Sequence, residues 1–280
     1  MTVIDVARAT RSRARLDPAL LASLVAVAFF LVAAVVPGFL SPHAPTALAL
    51  DEALEPPSFA HWFGTDQIGR DLLSRVIHGT RESLLIGFGA AGIAIVTAIV
   101  LGTLAALGGR VVSAVVSRAI EVVFAFPILL LALLLVSILG ASAWTQVIAV
   151  GVSTAPGYAR MVRGQILSAK NAGYVEAARA LGHSPRRILT NHVLPNAIRP
   201  LVAVFTMALG QSIVWASGLS FLGLGVAPPS SEWGALLDAG RAFIMQAPWL
   251  TFIPGLIIVV FALAATTIGS RIQQNLEKGE

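Results

Sequence analysis

Apolar runs near the length of a membrane span recur along this chain at 20–39, 84–107, 119–139, 143–158, 197–222 and 250–268, with short polar segments between them. A bilayer core about 30 Å thick takes roughly 20 apolar residues per helix. The pattern therefore predicts six transmembrane helices and an all-α polytopic membrane protein. The first run is longer than the apolar stretch of a typical secretory signal, and no A-x-A-like site follows Phe39, so it reads as a retained helix.

Exceptions inside the runs carry further information. Run 84–107 is rich in small residues (Gly87, Gly89, Ala90, Ala91, Gly92, Ala94, Ala98 and Gly102), which suit close helix packing in lipid. Run 119–139 holds Glu121 near one end and Pro127 in its middle; the proline predicts a kink. A carboxylate in a span is a functional candidate, but Arg118 lies three residues earlier on the same face and the depth is that of headgroups, which favours a structural ion pair over a gating or relay role. Run 143–158 contains Ser153, Thr154, Pro156 and Gly157. Freed backbone groups there need neighbouring protein or a water-filled cavity, so this helix is expected to line part of a path.

Composition agrees with the periodicity: 56% of residues are hydrophobic, 12% are charged and the mean hydropathy is +0.83, against about 25% charged in a soluble domain. Alternating the segments between two sides puts fifteen of the nineteen Lys and Arg residues on one side, among them Arg8, Arg11, Arg13, Arg15, Arg160, Arg163, Arg179, Arg186 and Arg187. Only Arg70, Arg75, Arg81 and Arg241 fall on the other. By the positive-inside rule the first side is cytoplasmic, and with it both termini. The net charge of +5 is thus explained by topology and by basic tails near anionic lipid, and nucleic acid is not an expected partner.

The expected organisation is a cytoplasmic tail at 1–18, a first transmembrane helix at 19–40, an extracytoplasmic segment at 41–83, a five-helix core at 84–270 with a cytoplasmic loop at 160–196, and a cytoplasmic tail at 271–280. Late in the extracytoplasmic segment, Leu72, Leu73, Val76 and Ile77 form one apolar stripe, which predicts an amphipathic lead-in helix. Cysteine is absent, so disulfides and thiolate metal sites are excluded. There is no phosphate-cradling G-x-x-x-x-G-K-[ST] loop, no nucleophile-base pairing to suggest a membrane enzyme, and the five histidines are scattered. Uphill transport by such a chain must be driven from outside it. A passive channel or proton-driven carrier is the alternative, although a carrier would place ionisable groups near the bilayer midplane.

One polar loop differs from the rest. GYVEAARALGHSPRRILTNHVLP, residues 173–195, opens with helix formers and an early acid. Gly182 suits a left-handed position after the helix, Ser184 can cap and Pro185 can start a second helix. The expected product is helix, tight turn, helix, standing out from the membrane. It is either a docking element for another protein or a surface helix that joins two spans.

Glu176-Ala177-Ala178, Gly182 and Leu194-Pro195 resemble the EAA loop of binding-protein-dependent ABC transporter permeases. HVLPN, with His192, is similar to the peptide and nickel subfamily, as are FGTDQIGRDLLSRVIHGTRESLLIG at 63–87 and LSFLGLGVAPPSSEWG at 219–234. The chain departs from that subfamily at Ala216, where an acidic residue is common, and in its ending IGSRIQQNLEKGE. The resemblance implies the type I ABC importer permease fold and a C-type subunit of a peptide importer in the cell membrane. It also implies a second homologous permease subunit, two cytoplasmic ABC ATPase subunits or domains that carry ATP and Mg, and an external solute-binding protein. Nickel chelates or another small solute are the alternative cargo. Carried over by motif, Glu176, Ala177, Ala178, Gly182, Arg186 and Arg187 form the ATPase-docking coupling helix, and Asp66, Arg70, Asp71 and Trp233 are candidate binding-protein contacts. Gln211, Ser212, Trp215, Ser217 and Ser220 place polar atoms in the fifth span as candidate path-lining groups.

Overall fold

The computed structural model describes residues 17–278. The predicted basic tail with Arg8, Arg11, Arg13 and Arg15 lies outside the described residues. The helices are α1 (Pro18–Val35), α2 (Pro37–Leu40), α3 (Leu72–Leu107), α4 (Arg110–Phe124), α5 (Ile128–Leu139), α6 (Ala143–Lys170), α7 (Gly173–Ala180), α8 (Pro185–Ile188), α9 (Leu194–Ile198), α10 (Leu201–Leu219), α11 (Trp233–Arg241) and α12 (Trp249–Lys278). Wide π-type turns at Leu189–Val193 and Ser220–Leu224 continue α8 and α10. Among the described residues the only β-type pairing is the isolated bridge between Thr65 and Asp71.

Four stretches are long and apolar enough to cross a membrane: α1, α3, the run Pro185–Leu224 and α12. The bent pair α4 and α5 makes a fifth if it counts as one span. Helix α6 carries Gln146, Arg160, Arg163 and Lys170 and is not among them. Exposed Leu, Val and Phe side chains on α1, α5 and α12 form the lipid-compatible surface.

Three elements differ from the sequence expectation. The lead-in helix is not separate, because α3 runs unbroken from Leu72 with Leu72, Val76 and Ile77 buried against protein. The run 119–139 divides at Pro127, which lacks an N–H and pushes the preceding residue out of helical conformation, and the two halves meet at 91°. The run 143–158 is not interrupted, since α6 continues through Pro156 and extends to Lys170. Ser153, Thr154 and Pro156 are buried by neighbouring protein, and the Thr154 hydroxyl donates to the Val150 carbonyl at 2.8 Å.

Helix α3 is the central packing element, with α6 along most of its length and α10, α1 and α4 around it. Small residues permit this. A Cβ on Gly102 would stand 2.7 Å from the Val162 Cβ and 2.8 Å from the Ala159 carbonyl, and one on Gly151 would stand 2.7 Å from the Ile93 Cβ. The small-residue reading of α3 therefore holds at Gly102 and Gly87, but Gly92 faces open space. At one end of the bundle Phe30, Trp233 and Phe261 join α1, α11 and α12, with ring centroids 5.3 to 6.0 Å apart. At the other, Arg271 of α12 pairs with Asp17, the cap of α1, and Gly269 of α12 packs on Ala203 at the start of α10. Both described ends of the chain thus share the end of the bundle that holds 173–198.

Candidate functional site

The loop between α6 and α10 folds locally as its residues dictate. Gly182 has φ +77, its N–H donates to the Arg179 carbonyl at 2.9 Å, and the His183 N–H donates to the Ala178 carbonyl at 3.1 Å. These two bonds are the Schellman ending of a helix. The Ser184 hydroxyl then accepts the Arg187 N–H at 3.4 Å and Pro185 takes the first position of α8.

The segment is anchored on one face and open on the other. Val175, Ala178, Ile188 and Val193 are buried in one cluster with Ala105, Ile120, Val162 and Ile166 of α3, α4 and α6. Glu176, Ala177, Gly182, Arg186 and Arg187 are exposed. Ala178 is a correction to the sequence-derived docking set, because at 4% exposure it belongs to the anchor. Leu181, 78% exposed, replaces it as an apolar surface group. An apolar side chain immediately before the terminating glycine was the available signal.

The α10 set also divides. Gln211 is exposed and its Oε1 accepts from the Tyr158 hydroxyl at 2.9 Å. With half-buried Trp215 it lines a groove of about 470 Å³ between α10 and α12, shared with Met207 and Ala262. Ser212, Ser217 and Ser220 point instead into the chain's own interior, at 1 to 3% exposure. Ser220 is fully engaged: its hydroxyl donates to Glu232 at 2.9 Å and accepts from the Gln146 amide at 2.7 Å. Helix α10 is apolar on all sides, so periodicity could not separate these two groups.

The four candidate binding-protein contacts are likewise corrected. Asp66, Arg70, Asp71 and Trp233 are 1%, 8%, 3% and 0% exposed. Asp66 holds the loop before α3: its Oδ1 accepts the N–H groups of Ile68 and Arg70, both at 3.0 Å, and its Oδ2 accepts from Arg70 Nε at 2.7 Å and Arg75 Nη1 at 2.6 Å. Asp71 caps α3 through the Ser74 N–H at 2.8 Å. The Trp233 indole donates to the Val76 carbonyl at 3.1 Å. Arg75 continues to the Ser230 carbonyl at 3.1 Å, so the two motifs near 63–87 and 219–234 interlock.

Glu232, which the sequence reading passed over, is the hub of this cap. It is 1% exposed and starts α11 by accepting the N–H groups of Gly234 and Ala235, both at 2.8 Å. Burial pushes its carboxyl above the usual carboxylate range, against those donors and the Ser220 hydroxyl, which favour the charged form. Its place just before Trp233-Gly234 at a helix start was the readable signal. The expected pair of Arg118 and Glu121 is present at 3.2 Å, with side chains 79% and 57% exposed.

Residues 98–279 match the family described as binding-protein-dependent transport system inner membrane component. The dipeptide transport system permease protein DppC of Alkalihalophilus pseudofirmus is 38% identical over 224 residues, 80% of this chain and 74% of that protein. The di/tripeptide transport system permease protein DppC of Pseudomonas aeruginosa is 37% identical over 245 residues, 85% of this chain and 81% of the relative. Among solved structures, the MetNI methionine ABC transporter in an inward-facing conformation superposes with a TM-score of 0.59 at 20% identity, covering 72% of this chain and 95% of that one. The fold is that of an ABC transporter permease, and the chain belongs to the family of binding-protein-dependent transport system inner membrane components.

Proposed function

We propose that this permease carries di- or oligopeptides and forms half of the path, opposite a second homologous subunit. The peptide-transporting relatives support that cargo. In this reading α6 is the sixth span, shielded by its neighbours with fourteen of its 28 residues buried, and both termini are cytoplasmic. Two ATPase subunits that hold ATP and Mg dock on 173–198, and an external solute-binding protein docks at the far end. The groove with Gln211 and Trp215 faces the path.

The observation that carries the reading is that α7 and its C-cap are two-faced: Glu176, Ala177 and Leu181 outside, Val175 and Ala178 fixed into α3, α4 and α6 inside. Force on the outer face is delivered to three helices at once. Nucleotide inside and loaded binding protein outside then shift the bundle between two states because each binds one state better.

The test is Gly182→Val. Nothing lies within 4 Å of a Cβ there, so the substitution is resisted by the positive φ and not by packing. Membrane insertion should be normal, with ATPase recruitment and peptide uptake lost; unimpaired recruitment would refute the docking assignment.

A further inference from the structure

Two of the scattered histidines meet in the fold. His43, in the segment after α2, lies against His61 with ring centroids 4.8 Å apart and planes tilted by 34°, at the end of the bundle away from the coupling segment. Asp71, the cap of α3, faces both: its Oδ1 lies 2.9 Å from His61 Nδ1 and 3.8 Å from His43 Nδ1. One ligand atom from each of the three residues lies within 4.8 Å of the others. We propose that His43, His61 and Asp71 bind one transition-metal ion of the zinc class.

The geometry requires little movement. Tetrahedral zinc with bonds of about 2.0–2.2 Å places its ligand atoms roughly 3.3 Å apart, between the separations found. The remaining adjustment falls to His43, whose side chain is 42% exposed while that of Asp71 is 1% exposed. This open side leaves room for water as fourth ligand.

The surroundings favour ligation on independent grounds. His61 Nε2 lies 3.3 Å from Glu52 Oε2 and donates a hydrogen bond to it, while Nδ1 donates to Asp71 Oδ1 at 2.9 Å and would exchange that hydrogen for the ion; a carboxylate behind a histidine is the usual support of a metal ligand. Asp71 Oδ2 is occupied by the Ser74 N–H at 2.8 Å and hydroxyl at 2.6 Å, so Oδ1, hydrogen-bonded to His61 Nδ1 at 2.9 Å, is the oxygen that faces the two histidines. The same Ser74 hydroxyl accepts the His43 N–H at 3.1 Å and holds that backbone in place. Two imidazole nitrogens with one carboxylate suit zinc, nickel or copper and not magnesium or calcium. A bound ion would staple the segment around 43–61 to the start of α3.

The test uses the full-length chain in lipid nanodiscs, purified without a polyhistidine tag and titrated with zinc chloride by calorimetry and thermal unfolding. The expected result is one zinc per chain, a raised Tm and no effect of magnesium. His43→Ala should lose both zinc binding and the zinc-induced rise in Tm, while its backbone bond to Ser74 survives. Glu52→Gln should bind about tenfold more weakly. Absence of saturable zinc binding, or binding that His43→Ala leaves intact, overturns the proposal.

Discussion

Replacing Asp66 with Asn tests whether the acidic and basic residues near the start of α3 build the cap or greet a partner. The carboxylate accepts two backbone N–H groups and two guanidinium N–H groups within 3.0 Å. The side chains of Asp66, Arg70 and Arg75 are 2%, 9% and 4% exposed. The amide would remove the negative charge that pairs with both buried cations and turn an NH₂ towards a donor. Breaking a buried pair in this way costs about 3–5 kcal/mol, a large part of a typical stability of about 5–15 kcal/mol. At about 2–4 °C per kcal/mol for a chain of this size, Tm should fall by about 6–20 °C. Tryptophan fluorescence during thermal unfolding in nanodiscs measures this, since Trp233 packs beside the network. Glu121→Gln is the control: its exposed pair with Arg118 is worth about 1 kcal/mol or less. An Asp66→Asn chain with unchanged Tm and lost engagement of an external protein would refute the burial argument and restore the contact role.

Two neighbouring alanines should behave oppositely. Ala178→Leu overfills the buried cluster beneath α7 and should cost about 1–3 kcal/mol, whereas Ala177→Leu should leave Tm unchanged and reduce ATPase recruitment in a pull-down. Glu232 gives a pH signature. Its folded carboxyl is raised, so its contribution is full below the ordinary glutamate value of about 4.3 and is lost as pH rises through the folded value. The Tm advantage of wild type over Glu232→Gln should therefore shrink with rising pH, and an advantage that grows instead would show that the ionised form is the stabilising one.

What was legible in the sequence is what local chemistry decides. Gly182, Ser184 and Pro185 specify the ends of α7 and α8 within a few residues, and the structure realises them atom by atom. Pro127 announced a break, but its 91° angle is set by what α4 and α5 pack against. The cap was misread for a related reason. Asp66, Arg70 and Asp71 look like solvent-facing loop residues until Arg75 finds Ser230, 155 positions away. Burial created by so distant a partner leaves no periodic trace. The same holds for His43 and His61, whose pairing depends on the loop folding back over α3.

Helix α3 has 36 residues and no break, a rod of about 54 Å at 1.5 Å per residue. Near one tip, Gly79 is where a Cβ would overlap the Ser231 carbonyl; near the other, Gly102 nests against α6. A single inserted residue between them would turn one tip by about 100° against the other, so neither seat could be kept without unseating its counterpart. The number of residues in this stretch is therefore constrained independently of their identity: side chains along the rod can be exchanged while both seats are kept, but the count cannot change.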